Sequence, residues 1–225
     1  MMIQTLLFFS LFLVFSTETS AQVNENEVFG KITFPTSPKV IKRGTGYNKD
    51  GTKVMHSNDP MANANRNIIV SLHPLSFKVD IKPMQNASIT QKQQTFLPNV
   101  LPVTKGTTVY FLNEDEFFHN IYSLSPGSRF NIGRRPPGDP YPIKIKKNGV
   151  IKLSCDIHPH MYGTILSLDT PYFCRVDKNG KYSIKNLPDG SYELTIFHPE
   201  QKEISRKIQV SGDERKEINF DLKRP

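Results

Sequence analysis

Cys155-Asp156-Ile157-His158-Pro159-His160-Met161 is the stretch from which the rest of the chain is read. A thiol, an imidazole and a thioether stand three residues apart, with a further imidazole at His160. Upstream, Phe118-His119-Asn120 supplies another imidazole. Soft thiolate and thioether donors suit Cu(I), and imidazole suits copper in both oxidation states. Zinc sites seldom use a thioether, so the set favours copper over zinc.

Outward from this stretch the pattern is that of strands. Ala87–Gln91, Gly106–Leu112 and His119–Leu124 read as strands, and Pro126-Gly127 as a turn. Arg134 to Pro142 is a loop stiffened by its prolines. Ile143–Lys146, Asn148-Gly149 and Val150–Leu153 read as strand, turn and strand, a hairpin signal. The last of these strands delivers Cys155, and Tyr162–Leu168 carries the chain away from the loop.

Cys-x-x-His-x-x-Met, with Val109-x-Phe111-x-Asn113 ahead of His119-Asn120, resembles the amicyanin- and plastocyanin-like cupredoxins. Phe96-x-Pro98 and Val103-x-x-Gly106-x-x-Val109 resemble the preceding strands of that family. The resemblance covers residues 86–169 and extends to cupredoxin-like methylamine-utilisation-type proteins. It implies a Greek-key β-sandwich with one type 1 copper ion. His119, Cys155 and His158 would form the trigonal plane, Met161 would be the long axial ligand, and Asn120 would steady the loop from outside the ligand set. Some cupredoxins place the second imidazole where His160 stands, so His160 is either the alternative ligand, an electron-entry residue or a solvated side chain.

The flanking segments have a different character. Val28–Phe34 and Asn67–Pro74 read as strands, as does the alternating Phe77–Ile81. Residues 35–66 read as a long irregular loop; Met55, His56 and Met61 within it are an exposed cluster or a second copper site. After Pro171, strands at Tyr182–Ile184, Tyr192–Phe197, Ile204–Val210 and Lys216–Leu222 are separated by Asn-Gly and Asp-Gly turns. With Val28-x-Gly30-x-Ile32 as an opening strand, this half resembles a carboxypeptidase-regulatory-like β-sandwich. The expected fold is therefore all-β, with a cupredoxin at 83–170. A second small sandwich is formed by 171–225, alone or together with 27–82 as one discontinuous domain.

Composition narrows the function. Residues 3–15 are almost unbroken apolar sequence, too short for a comfortable membrane span, and Thr19-x-Ala21 follows. Residues 1–21 are read as a signal peptide, which places the protein in the periplasm or outside the cell; the alternative is an uncleaved anchor. The formal charge is +8, and the leader contains only Glu18, so its removal leaves 8 + 1 = +9. No compact Lys/Arg run with interleaved aromatics suggests nucleic acid, and export argues against it. An acidic redox partner suits the charge, with Arg134, Arg135, Lys144, Lys146 and Lys147 as docking candidates or simply a solvated face.

Two cysteines in an exported chain also allow a Cys155–Cys174 disulfide, which would exclude copper at Cys155. No catalytic triad, phosphate loop or carboxylate pair suggests an enzyme. The expectation is an exported one-electron carrier. The alternatives are a β-sandwich binding or adhesion module with little or no copper, and a copper storage or delivery protein.

Overall fold

The computed structural model describes residues 25–33 and 65–222. The leader and almost all of the long loop, including Met55, His56 and Met61, lie outside the described residues. Apart from helical backbone at 65–66, every regular element among the described residues is a strand. No described helix is long and apolar enough to cross a membrane. The chain is all-β and its strands form two packed pairs of sheets.

The strands divide in chain order into a central block and two flanks. The first flank holds β1 (Glu27–Thr33) and β2 (Ile69–Pro74). The central block runs through β3 (Ala87–Lys92), β4 (Thr95–Leu97), β5 (Val100–Thr104), β6 (Thr108–Asn113), β7 (Tyr122–Ser123), β8 (Phe130–Asn131), β9 (Tyr141–Lys144), β10 (Gly149–Ser154) and β11 (Tyr162–Leu168). The last flank holds β12 (Phe173–Arg175), β13 (Lys181–Ile184), β14 (Gly190–Phe197), β15 (Ile204–Val210), β16 (Arg215–Glu217) and β17 (Phe220–Asp221).

In the central block one sheet runs β4-β3-β6-β9 and the other β5-β11-β10-β7-β8. β3 lies parallel to β6 and β5 parallel to β11, so the chain crosses between the sheets instead of folding back as hairpins throughout. Alternation explains the packing: Ala87, Ile89 and Gln91 of β3, and Ile151 and Leu153 of β10, point inward. The apolar ones meet Phe96, Val109, Phe111, Ile121 and Ile165 in one core.

The two flanks build the other sandwich jointly. β1 pairs with β13 on one side and with β16 and β17 on the other, while β2 lies between β12 and β14. Val28, Ile32, Val70 and Leu72 from the first flank share a core with Tyr182, Tyr192, Leu194 and Ile218 from the last. Gly30 sits where these strands press together: a Cβ there would lie 1.9 Å from the carbonyl oxygen of Ile218. Tyr182 donates its hydroxyl to that same oxygen at 2.7 Å.

A third, smaller apolar cluster joins the two sandwiches. Ile69 and Phe197 of the outer sandwich meet Val100, Leu166 and Leu168 of the central one. Both faces of β11 are buried for this reason: one feeds the central core and the other this junction. The Arg175 guanidinium reinforces it by donating to the carbonyls of Arg66 and Val100.

Two local expectations are corrected. Asn148-Gly149 does not close a hairpin, because β9 pairs with β6 and β10 pairs with β11 and β7. Ile145 continues the pairing with β6 by accepting from Gly106 and donating to Thr107, so the turn carries the chain from one layer to the other. Phe77–Ile81 is not a strand, although its alternation is clean. Its Phe77 instead packs edge-on against Tyr192, with ring centroids 5.5 Å apart.

Candidate metal centre

β10 ends at Ser154 and β11 starts at Tyr162, with Ser154 and Tyr162 paired across the ladder. The loop 155–161 is thus pinned at both ends by adjacent strands. Met161 donates its backbone N–H to the His158 carbonyl at 2.9 Å, which tightens the loop into a turn. The opposite wall comes from the segment after β6. There Asn113 gives its amide to the carbonyls of Phe117 and Arg135, and accepts from the Asp115 N–H. His119 and Arg135 exchange both backbone hydrogen bonds, at 3.0 and 2.6 Å. The imidazole of His119 is held by its own backbone on one side and by a side chain on the other.

These two walls bring three donors together. Cys155 Sγ lies 3.8 Å from His119 Nδ1 and 3.9 Å from His158 Nδ1, and the two Nδ1 atoms are 3.2 Å apart. Among the described residues, His119, Cys155 and His158 are the group of three such ligand atoms gathered within 4.8 Å. Metal–nitrogen bonds of about 2.0 Å and a metal–sulfur bond of about 2.3 Å, in one plane, require about 3.5 Å between nitrogens and about 3.7 Å from nitrogen to sulfur. The spacing fits a first-row metal without moving the backbone.

Burial and charge act on each of the three donors. His119 is fully buried, and its Nε2 lies 2.7 Å from Asp115 Oδ2. A carboxylate only accepts, so Nε2 carries the hydrogen, and in the neutral ring the Nδ1 lone pair faces Cys155. Burial alone would raise the Cys155 thiol. Its bond with His119 and the backbone N–H groups of Asn120, Ile157 and His158 outweigh that, and hold the thiol below its ordinary range. Burial lowers His119, but its bonds to Cys155 and Asp115 win and its pKa is raised. For His158, burial comes first and the neighbouring imidazoles of His119 and His160 disfavour a further positive charge, so its pKa is lowered.

The remaining expected residues take distinct places. Met161 is buried in the central core with Cys155. His160 is exposed and stands outside the three-donor group, its ring edge-on to His158 with centroids 5.9 Å apart. Asn120 is buried, yet its side-chain oxygen has no hydrogen-bond partner; the group that reaches Cys155 is its backbone N–H. Both cysteines are free, Cys155 in the central core and Cys174 against the outer one. Burial pushes the Cys174 thiol up to about 11. Of the basic candidates, Arg134 reaches Asp156 at 3.5 Å, and Arg135 stacks over Tyr141 at 4.3 Å.

Two residues of the site were not expected from the sequence. Asp115 also accepts from the N–H groups of Gln93 and Gln94, at 2.6 and 3.0 Å, so one carboxylate ties the β3–β4 turn to the ligand wall. Its place within the Glu114-Asp115-Glu116 run disguises it as a surface acid; the four-residue spacing to His119 was the available signal. Phe117 packs against both ligand rings, 5.0 Å from His119 and 5.5 Å from His158, whereas Phe118 is 55% exposed. Two adjacent phenylalanines at a loop give no sequence clue to which one turns inward.

No protein-family model and no curated protein matches the chain. Among solved structures, the chain is similar to a purple cupredoxin from Nitrosopumilus maritimus at 26% identity, over 37% of this chain and 100% of that one, with a TM-score of 0.34. A reduced Cu(I) form of an amicyanin mutant matches at 15% identity, over 44% of this chain and 98% of that one, with a TM-score of 0.35. A Cu-containing nitrite reductase from Thermus scotoductus matches at 25% identity over 51% of this chain and 28% of its own length, with a TM-score of 0.36.

Proposed function

We propose that the protein is an exported type 1 copper protein that carries single electrons. The observation behind this reading is the convergence of two Nδ1 atoms and one Sγ at 3.2–3.9 Å in a buried pocket. His119, Cys155 and His158 would hold the ion, with Met161 as a weak fourth donor. Copper would supply a one-electron couple.

The chain's own residues do the rest. Asp115 orients His119, and backbone N–H groups stabilise the Cys155 sulfur as a thiolate. Phe117 covers the ligand rings on one side and excludes water. Buried, cross-braced ligands limit rearrangement between oxidation states. His160 offers an exposed ring against His158 through which a partner gains electronic contact. The basic surface suits an acidic redox protein, with neither nucleic acid nor a catalytic substrate required. Residues 1–21 would direct the chain to the periplasm or beyond.

The pairing of β1 and β2 with the C-terminal strands supports reading 27–82 and 171–225 as one discontinuous, carboxypeptidase-regulatory-like sandwich. Residues 83–170 would then be its cupredoxin insert.

Copper titration of the reduced protein lacking residues 1–21 tests the reading. An intense visible charge-transfer band, bleached by reductant and lost in Cys155→Ser, is expected. A colourless complex that passes Cu(I) readily to a chelator would instead indicate a storage or delivery role.

A further inference from the structure

The strand that delivers Cys155 has an open side. β10 pairs with β11 along its whole length, but with β7 at a single position, Ser154 with Tyr122. β7 ends at Ser123, and beyond it the Lys152 N–H is met by a side chain, Ser125 Oγ, at 2.9 Å. In an antiparallel ladder, alternate residues direct their backbone groups to opposite sides. Since Lys152 donates away from β11, the N–H and C=O of Val150 point to the same open side. Among the described residues no strand pairs with Val150 there.

This gap is a groove of about 440 Å³, bounded by Tyr122, Leu124, Pro126, Val150, Lys152 and Ser154. Its walls are apolar and accessible: Leu124 is 69% and Val150 40% exposed. Natural sheets generally cover or charge such an edge. Here the charge has one sign. Lys152 lies in the groove, and the Lys147 side chain packs against Gly127 beside it: a Cβ on Gly127 would meet Lys147 Cδ at 2.8 Å. Between Asn120 and Cys155 seven side chains are Lys or Arg, and only Asp139 is acidic.

We propose that this groove docks an extended acidic segment of a partner protein by strand addition. The segment would pair its backbone with Val150 and lay an apolar side chain between Leu124 and Val150. Its carboxylates would meet Lys147 and Lys152. Like charge disfavours a second copy of this chain as the occupant. The groove ends one residue from Cys155, so a docked partner lies beside the candidate metal centre. The docking itself stands whether or not that centre binds copper.

The test uses the full chain, copper-free, with a short fluorescent peptide alternating glutamate and valine. A lysine–valine peptide is the control. The acidic peptide is expected to bind, more weakly as salt rises, and the control not to. The Val150 amide is expected to exchange fast in the free protein, and binding should slow it. Val150→Pro removes the outward N–H while sparing the β11 ladder, and proline is tolerated at such edge positions. It should weaken binding by about tenfold or more. Lys152→Glu, an exposed change that leaves the backbone intact, should weaken it several-fold. Equal binding of both peptides, binding of neither, or retained affinity in both variants would overturn the proposal. So would a Val150 amide already protected in the free monomer, or self-association that Val150→Pro abolishes.

Discussion

Replacing Asp115 should separate stability from metal affinity. Its carboxylate is 9% exposed and accepts from two turn amides and from His119 Nε2. Asp115→Ala leaves one buried donor, His119 Nε2, and the two part-buried turn amides unmet. At about 1–3 kcal/mol for the unsatisfied buried donor and about 0.5–1.5 kcal/mol for each part-buried bond that water can replace, the cost is on the order of 2–6 kcal/mol. Asp115→Asn keeps the shape and one oxygen. With that oxygen at the Oδ2 position, it still serves Gln94 and His119 and loses only the part-buried bond from the Gln93 amide, at a cost of about 0.5–1.5 kcal/mol. An amide is a weaker partner than a carboxylate for the His119 ring, so metal affinity should fall by about 10- to 100-fold in either variant. Urea unfolding of the metal-free protein gives the first quantity, and competition against a copper chelator gives the second. Wild-type affinity in a folded Asp115→Asn variant would refute the orienting role of this carboxylate. An unchanged unfolding midpoint in Asp115→Ala would refute its role as a tie between the turn and the ligand wall.

Other outcomes follow from the same structure. Gly30→Ala forces a methyl group to within 1.9 Å of the Ile218 carbonyl oxygen and should destabilise the outer sandwich by about 3 kcal/mol or more, read by urea unfolding. His198 is 6% exposed, and its pKa is lowered, chiefly by burial. The unfolded chain therefore binds its proton more readily, and the neutral ring's contribution to stability declines as pH falls from its ordinary 6.5 through the lowered value. His198→Asn should flatten the acid limb of a stability–pH curve. A fragment spanning 172–222 lacks β1 and β2 and should stay unfolded by circular dichroism until a 25–74 fragment is added. Folding of 172–222 alone would dismiss the discontinuous domain. His160→Ala should leave copper uptake and colour intact while slowing electron exchange with a small redox couple; loss of colour would instead make His160 a ligand.

What could be read in advance was whatever is local along the chain. Cys155, His158 and Met161 fall within one loop, so their spacing alone carries the chemistry, and His119 is flanked by recognisable strand residues. The strands of the flanks were legible because inward residues such as Tyr182, Ile184, Leu194 and Ile196 alternate cleanly. Asp115 was not legible, because burial of a carboxylate depends on donors from Gln93 and Gln94, which sequence distance conceals. The Asn148-Gly149 signal was misleading in partner choice: the turn is real, with Gly149 at φ 115°, but it joins two sheets. Phe77–Ile81 alternates as a strand would, yet its residues find no neighbour with which to pair.

The interleaving of the two sandwiches has a consequence for the order in which the molecule is made. β1 and β2 leave the ribosome before residues 75–172, yet their neighbours β12, β13, β14, β16 and β17 come afterwards. The central block contains all of its own strand partners and can close as soon as it emerges. Until the last strands are available, β1 and β2 lack the partners that bury Val28, Ile32, Val70 and Leu72, so early release of these strands would favour misassembly.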